Sequence, residues 1–323
     1  MRFWEKYGIY LIAITTLIIF TILTPNVLSL SNIVNLLVQT SMVAIAAAGM
    51  TFAITGGAFD LSIGSILAVT TSVLCKNVPI LGIFGAIVLA LSVGAVLGVM
   101  NGLIVTKLRI QTFVATLATQ IIYRGGVLIY TQGRDSDLFR YLDIKVIAGG
   151  RVLGLPVPIW ITFTVFLAGY MIYKHTQFGM WVRAIGSNEE AARISGIKVD
   201  RTIIVIFVIT AVTTVISGTI YTSQLLTGNG RLGVGFELEA ITATILGGTA
   251  LAGGKGKFWG TLTAAIILAL MKNGMNLLGV QDFYQRLATG LILLLALSMG
   301  VVSERIQTRG NRATRNQSGD TNE

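Results

Sequence analysis

The sequence predicts an all-α polytopic membrane protein with about ten transmembrane helices. Of the 323 residues, 54% are hydrophobic and only 12% are charged, a balance that is too apolar for a soluble domain of this size. Most of the apolar runs also reach the roughly 20 residues that a helix needs to cross a bilayer. Glycine-rich stretches interrupt the runs in two places, as in transporters with broken helices. These three observations favour a membrane protein with an internal pathway.

Charge and residue content exclude several other classes. The formal net charge is +10, but Lys and Arg are dispersed between apolar runs, so nucleic acid is not expected as a partner. Cys75 is the only cysteine and His175 the only histidine, which excludes an intrachain disulfide and leaves no zinc or haem ligand set. The spans also lack paired acids or a nucleophile beside a base, so we do not expect an enzyme.

The first apolar run, at 7–24, follows two cations and resembles a signal peptide. Residues 24–26 offer no A-x-A cleavage site and another apolar run follows at once, so we predict an uncleaved first span. The further predicted spans lie at 33–55, 61–74, 79–103, 110–131, 155–173, 202–225, 237–251, 258–279 and 283–302. The transmembrane domain is therefore expected to cover 1–302, and the polar segment 303–323 to be a disordered tail.

The distribution of Lys and Arg predicts the orientation of these spans. If the N-terminus lies in the cytoplasm, ten spans place most of the cation-rich loops on the same side, as the positive-inside rule requires. Fewer cations fall outside, where three aspartates between 135 and 143 offset much of their charge. The cytoplasmic cations are Lys107, Arg109, those in the run 174–201, Lys255, Lys257, Arg305, Arg309, Arg312 and Arg315. Both termini are thus predicted to be cytoplasmic.

Residues 184–201 are the longest polar interruption between clear spans. Ser187 and Glu190 have the spacing of a capping box, which predicts a helix of about two turns from Asn188 to Ser195. Gly196 stands where a left-handed C-terminal cap is usually needed. The result is a short helix near 187–196 on the cytoplasmic surface. It either docks another protein or only anchors the loop at the membrane.

Two glycine-rich interruptions look alike, I-T-G-G-A-F-D-L-S-I-G-S at 54–65 and I-L-G-G-T-A-L-A-G-G-K-G at 245–256. A second pair is M-N-G-L at 100–103 and K-N-G-M at 272–275. We expect the spans before paired motifs to run in opposite directions, as in an inverted repeat of five plus five helices. Such segments often line a pathway, although tight packing through small residues is the alternative. The predicted pathway residues are Gly56, Gly57, Asp60, Asn101, Gly247, Gly248 and Asn273.

Asp60 is a carboxylate in an otherwise apolar neighbourhood and has two interpretations. An intramembrane acid can couple transport to a proton or sodium ion, which would make the chain a secondary transporter. Alternatively, Asp60 caps the next span. Glu237 and Glu239 are expected at the outer start of a span. Three cations near outer span ends are expected to snorkel to the interface or, in the minority interpretation, to bind a hydroxylated solute: Arg124, Lys272 and Arg286.

Four motifs together resemble the permease subunits of ATP-binding cassette importers for ribose and related monosaccharides. They are G-G-A-F-D-L-S-I-G-S at 56–65, E-A-A-x-x-x-G at 190–196, L-G-G-T-A-L-A-G-G-K-G at 246–256 and N-G-M-N-L-L-G-V at 273–280. The resemblance covers almost the whole chain. The I-x-L-P that ends the fullest version of the docking motif is absent here, as it is in the sugar-importer branch. One departure is Phe59, where the family usually has Ile before the Asp.

The resemblance implies the function and the partners. The cargo would be a monosaccharide, ribose first, with xylose, galactose or a furanosyl signalling molecule as alternatives. The chain would sit in the lipid of the bacterial inner membrane with an ATP-binding cassette subunit, an extracytoplasmic sugar-binding protein, and a second permease copy or a paralogue. ATP and Mg would bind the partner, because Gly254-Lys255 lacks the spacing of a phosphate-binding loop. The residues expected to couple to the ATPase are Ser187, Glu189, Glu190, Ala191, Ala192, Arg193 and Gly196.

Overall fold

The computed structural model describes residues 2–298, with side chains from residue 8 onward. Within this part the protein is a bundle of α-helices. The helices are α1 (Arg2–Leu23), α2 (Leu30–Thr55), α3 (Ile63–Leu108), α4 (Thr112–Thr131), α5 (Val146–Gly149), α6 (Val157–His175), α7 (Gln177–Ser187), α8 (Glu189–Ile194), α9 (Val199–Leu225), α10 (Phe236–Leu246), α11 (Phe258–Leu277) and α12, described over 282–298. The predicted tail at 303–323 lies outside the described residues.

Six helices of the described part are long and apolar enough to cross a bilayer: α2, α3, α4, α6, α9 and α11. The first helix adds a shorter apolar segment, Gly8–Leu23. Each predicted span overlaps a helical segment within the described residues, which end at 298. However, α10 has only 11 residues and ends before the predicted span 237–251 does, and α3 contains two of the predicted spans. The all-α polytopic class is confirmed, whereas the count of ten spans stays a prediction.

A break inside α3 divides it into two helical segments. Gly82 has φ 69° and ψ 174°, so the 46-residue helix changes direction there. The predicted spans 61–74 and 79–103 place the boundary between the segments before Pro79. In the structure Pro79 lies inside the first helical segment. Gly82 is suited to the break because a residue without a Cβ adopts positive φ at little cost.

The centre of the bundle is α9, which packs along α2 and α3. Glycines permit this close approach, because a Cβ on Gly98 would lie 2.7 Å from the Phe207 carbonyl oxygen and one on Gly102 would lie 2.6 Å from Ile204 Cα. A Cβ on Gly49 of α2 would lie 2.1 Å from Thr213 Oγ1. Small residues therefore bring these helices together, as is common in membranes.

The connection between α4 and α6 folds back onto the end of α9. Its strand β1 (Ser136–Asp137) pairs antiparallel with β4 (Thr227–Gly228), which follows α9 directly. A second hairpin joins β2 (Arg151–Val152) to β3 (Leu155–Pro156). The Ala148 amide donates a hydrogen bond to Ser223 Oγ of α9 at 2.9 Å, so this connection is attached to the bundle.

The first pair of glycine motifs does not have the arrangement that we predicted. One motif follows α2 and the other follows α10, and the Gly254 amide donates to the Thr55 carbonyl at 2.8 Å. Both motifs therefore lie on one side of the bundle, and the two helices before them run toward that same side. The prediction of opposite directions is wrong for this pair.

The turn at 56–62 is instead matched in position by the loop at 226–235, since each precedes a helix that starts inside the bundle. Those helices, α3 and α10, meet at their N-termini, where a Cβ on Gly64 would lie 2.4 Å from the Gly233 carbonyl oxygen. The second pair of motifs lies in α3 and α11. The repeat of five plus five helices itself stays a prediction.

Candidate functional site

The predicted surface helix is built by the sequence between α6 and α9. Thr176 caps α7, because its hydroxyl oxygen accepts from the Gly179 amide at 3.3 Å. Val182 and Ile185 of α7 are buried, which fixes one face of this helix on the bundle. The chain then turns at Asn188 and forms α8. The short helix is thus carried on a helix that is itself anchored in the core.

The N-terminal cap of α8 is Asn188 and not Ser187. The Asn188 side chain accepts from the Ala191 amide at 2.9 Å, and its backbone is extended, with φ −163° and ψ 106°. The Ser187 hydroxyl instead donates to the Arg183 carbonyl at 2.9 Å, as the last residue of α7. The predicted capping box is therefore wrong, and α8 spans Glu189–Ile194 rather than Asn188 to Ser195. Asn188 bonds the Ala191 amide, whereas the predicted box pairs Ser187 with the Glu190 amide, so the cap exists one residue later than predicted.

The C-terminal cap of α8 is the left-handed cap that the sequence predicts. Gly196 has φ +83°. Its amide donates to Arg193 at 3.1 Å, and the Ile197 amide donates to Ala192 at 3.1 Å. These two bonds form a Schellman motif, which satisfies the last carbonyl groups of the helix. Ala192 and Ile197 also pack in one apolar cluster, so the motif seats α8 on the bundle.

Outside this contact, α8 presents its residues to the surroundings. Ala192 is buried, whereas Glu189, Glu190 and Ala191 are exposed. Ile194 is 82% exposed, so the helix ends in an apolar side chain that the described part of the chain leaves uncovered. The accessible face of α8 therefore combines two acidic side chains with one apolar side chain.

Arg193 connects α8 to the start of α9. Its guanidinium lies 3.0 Å from Glu189 Oε1 and 3.0 Å from Asp200 Oδ1. These hydrogen bonds raise the pKa of the Arg193 guanidinium above its usual value. Because the side chains are exposed, the ion pairs orient α8 but contribute little to stability.

A cavity of about 530 Å³ lies beside α8. Glu189, Arg193 and Asp200 line it together with Arg109, which ends α3 at φ 54°. Residues 56–58 also line the cavity. Two groups of residues predicted separately, the surface helix and the first glycine motif, are therefore neighbours.

Asp60 lies in the turn at 56–62, and its side chain is completely buried. Its Oδ1 accepts from the Ser62 amide at 2.9 Å and from the Ser62 hydroxyl at 2.6 Å. Asn101 donates to the same hydroxyl at 2.7 Å, and the Tyr123 hydroxyl lies 2.8 Å from Asn101 Oδ1. Among the described residues, Asp60 Oδ2 has no hydrogen-bond partner. Ser62 stands at the N-cap position of α3 but its side chain makes no cap bond, whereas Asp60 accepts the amide two residues on, as a capping side chain does. Asp60 therefore caps the turn in which α3 begins.

Threonines of α4 hold the backbone of the same turn. The Phe59 amide donates to Thr112 Oγ1 at 3.3 Å, and the Thr116 hydroxyl donates to the Phe59 carbonyl at 3.1 Å. Both bonds use the backbone of Phe59, so they do not depend on which side chain stands at that position. The departure from Ile at this position therefore leaves these bonds in place.

The other predicted pathway residues lie apart from Asp60. Gly247 packs on α11, where an added Cβ would lie 2.4 Å from the Thr261 amide nitrogen. Gly248 follows with φ +88°. Asn273 forms a reciprocal amide pair with Asn32 of α2, at 2.8 and 2.9 Å. The structure therefore joins Asp60 to Asn101 but places Gly247, Gly248 and Asn273 at other contacts.

Two charged residues of α10 and α4, the buried Glu237 and the half-buried Arg124, contact distant parts of the chain. Glu237 is 8% exposed and accepts from Gln120 Nε2 at 3.0 Å, while its Oε2 has no partner among the described residues. Arg124 donates to the carbonyl groups of Gly230 and Leu232 at 2.6 and 3.1 Å. Arg124 thus binds the loop before α10 instead of snorkelling. The Gln120–Glu237 bond joins α4 to α10, and the Arg124 bonds join α4 to the loop before α10. These segments are distant in sequence, so no local pattern indicates the contacts.

Lys272 and Arg286 each form an ion pair with an acidic side chain. Lys272 lies 3.2 Å from Glu239 Oε1, and Arg286 lies 2.8 Å from Asp282 Oδ2. The described part of the chain contains no cluster of three or more His, Cys, Asp or Glu that could hold a metal ion.

Comparison with known proteins identifies the family. A family model described as the permease component of the branched-chain amino acid transport system matches residues 32–297. The chain belongs to this family of permeases. It is 41% identical to the ribose import permease RbsC of Escherichia coli K12, over 89% of this chain and 91% of that protein. No solved structure gives a significant match.

Two further relatives of this permease come from the same kind of system. RbsC of Bacillus subtilis 168 is 40% identical over 91% of this chain and 92% of its own. The L-arabinose transport system permease AraH of Escherichia coli K12 is 35% identical over 96% and 94%. Family membership and the apolar helices make the chain a multi-pass membrane protein and a transport component rather than an enzyme. The resemblance to monosaccharide permeases is confirmed.

Proposed function

We propose that this permease imports ribose as the membrane subunit of an ATP-driven, binding-protein-dependent importer. One observation favours ribose as the substrate. The relatives named as ribose import permeases are 39–41% identical to the chain, whereas the arabinose and allose permeases are 35% and 32% identical. Ribose therefore ranks ahead of other monosaccharides.

The ATPase docks on α8. A helix capped at both ends keeps its shape before a partner binds, and the exposed Ile194 gives that partner an apolar contact. ATP and Mg bind the ATPase subunit rather than this chain. Glu189, Glu190 and Ala191 complete the exposed docking face, while Gly196 fixes the end of the helix.

The remaining partners follow from the family resemblance. An extracytoplasmic sugar-binding protein delivers ribose, and a second copy of this chain or a paralogue completes the permease in the inner membrane. Both termini are cytoplasmic, as the cation distribution favours. This orientation places α8 on the side where ATP is available.

Transport follows from two states of the permease. ATP closes the ATPase dimer, which moves α8, and the spans tilt so that the pathway opens to the other side. A ligand shifts such an equilibrium only through its different affinity for the two states. The sugar-binding protein and ATP therefore favour the same conformation, and this shared preference couples hydrolysis to import.

The test is purification of the detergent-solubilised chain from its native membrane, followed by ribose uptake in proteoliposomes. We expect an ATPase to co-purify and ribose uptake to require ATP, with xylose, galactose and arabinose competing poorly. Recovery of the chain alone, with uptake driven by a proton or sodium gradient, would contradict the proposal and favour a secondary transporter that uses Asp60.

A matched pair of variants tests the docking face in the same experiment. Ile194→Glu places a charge on the proposed contact, so the amount of co-purified ATPase should fall at least about fivefold. Val152→Glu changes an exposed apolar residue of the β2–β3 hairpin, 52% exposed, and should leave ATPase recovery unchanged. Equal recovery with both variants would place the docking face elsewhere.

A further inference from the structure

Three glycine-containing segments meet directly behind α8. They are the end of α2 at 55–57, Gly186 in the last turn of α7, and residues 253–254 in the loop between α10 and α11. The Gly254 amide donates to the Thr55 carbonyl at 2.8 Å, which closes the contact between the first and third segments. We call this contact the glycine junction.

The glycine junction is made almost entirely by backbone atoms. A Cβ on Gly186 would lie 1.8 Å from the Thr55 carbonyl oxygen and 2.6 Å from the Gly254 amide nitrogen. A Cβ on Gly253 would lie 2.6 Å from the Gly186 carbonyl oxygen. Side chains can change rotamer when a neighbour moves, but backbone atoms in direct contact cannot. A displacement of α7 toward Thr55 and Gly254 must therefore displace both of these segments.

Each partner of Gly186 leads into a segment predicted to line the pathway. Thr55 is followed by the turn that contains Asp60 and leads into α3. Gly254 belongs to the loop that joins α10 to α11. On its other side, Gly186 is separated from the start of α8 by only two residues. The glycine junction thus connects one surface helix to two internal segments at once.

We propose that the glycine junction transmits the movement of α8 to the α2–α3 turn and the α10–α11 loop as one rigid contact, with Gly186 as the positioning residue. The inference rests on the proposed docking of an ATPase at α8. It assigns a role to Gly186, Thr55 and Gly254, which lie behind the proposed docking face.

Gly186→Ala in the assembled importer tests this role. The added methyl group must separate α7 from Thr55 and Gly254, so we expect ATPase recovery to match the wild type while the ribose imported per ATP hydrolysed falls at least about tenfold. Gly102→Ala is the control, because its Cβ would meet Ile204 Cα at 2.6 Å in the α3–α9 contact, away from the junction. It should lower thermal stability and leave the transport ratio within about twofold. A wild-type ratio for Gly186→Ala, or an equal loss for Gly102→Ala, would overturn the proposal.

A cross-link provides a second measurement that does not depend on Gly186→Ala folding. Ser187 Cβ lies 3.3 Å from the position of a Cβ on Gly254, close to the Cβ separation of a disulfide. Ser187→Cys and Gly254→Cys are combined with Cys75→Ala, which removes the only native thiol. Because Gly254 has φ +76°, the reduced form of the same variant is the reference for backbone strain.

If the segments move as one body, oxidation of this variant should preserve at least about half of the ATP-driven ribose uptake of its reduced form. Loss of uptake on oxidation, restored by reductant, would show that α7 and the loop must separate, which overturns the inference. The two proposals fail in different ways. A wild-type chain without ATP-driven uptake refutes the proposed function, whereas a coupled wild type with normally coupled Gly186→Ala refutes only the glycine junction.

Discussion

The helix α8 and the turn around Asp60 are both short polar interruptions, yet they are held in opposite ways. Bonds between near neighbours in sequence form α8, from the Asn188 cap to the left-handed Gly196. Side chains distant in sequence hold the Asp60 turn, since Asn101 lies 39 positions beyond the Ser62 that it bonds. Most residues of α8 are exposed, whereas Asp60 and Ser62 in the turn are completely buried.

This difference indicates different functions. A segment whose shape is determined locally keeps that shape when it moves as a body and when it meets a partner. A turn fixed by long-range hydrogen bonds in a buried site is part of the bundle, because breaking those bonds leaves unsatisfied polar groups. We therefore expect changes in α8 to impair coupling and changes at Asp60 to impair stability.

The largest effect is expected from Gly196→Pro. Proline fixes φ near −65°, whereas Gly196 has φ +83°, and it removes the amide that bonds Arg193. Ribose uptake should fall below about a tenth of the wild type, while membrane insertion stays intact. Gly196→Asn is the control, since asparagine adopts the left-handed conformation more readily than most residues and should keep at least about half of the uptake. Normal uptake by Gly196→Pro would remove α8 from the mechanism.

Local and long-range structure also differ in what the sequence predicts. The Gly196 cap follows from residues within one turn, and the sequence located it correctly. The Asn188 cap was assigned to Ser187 because both residues accept hydrogen bonds and S-x-x-E has the spacing of a capping box. The pairing of Gln120 with Glu237 and the contact of Gly254 with Thr55 join distant parts of the chain, so no local pattern indicates them.

The same limit explains the outcome for the glycine motifs. The amino-acid sequences at 54–65 and 245–256 are similar, but this similarity does not determine the direction in which the preceding helices cross the bundle. The helices before them end on the same side of the bundle, and the two motifs pack against one another. Family and class were predictable, because composition, span length and four motifs along the chain all pointed to them.

A smaller effect, on stability, is expected at Asp60. Asp60→Ala removes the acceptor of the Ser62 amide and hydroxyl in a buried site, which should lower the free energy of unfolding by about 1–3 kcal/mol. Asp60→Asn keeps an oxygen acceptor and should cost less. Thermal unfolding in detergent measures both variants, and uptake per folded molecule should remain ATP-dependent in each. If Asp60→Asn instead abolished a dependence on protons or sodium, Asp60 would be a coupling acid and the contrast with α8 would fail.

The smallest effect separates the two candidate caps of α8. Asn188→Ala leaves the Ala191 amide without its acceptor, a loss of about 1 kcal/mol that should weaken ATPase binding by about fivefold. Ser187→Ala keeps its Cβ and loses only a bond to Arg183 within α7, so binding should change less than about twofold. The measurement is titration of the solubilised permease with the purified ATPase. A larger loss for Ser187→Ala would restore the capping box of the sequence prediction, and with it a helix that begins one residue earlier.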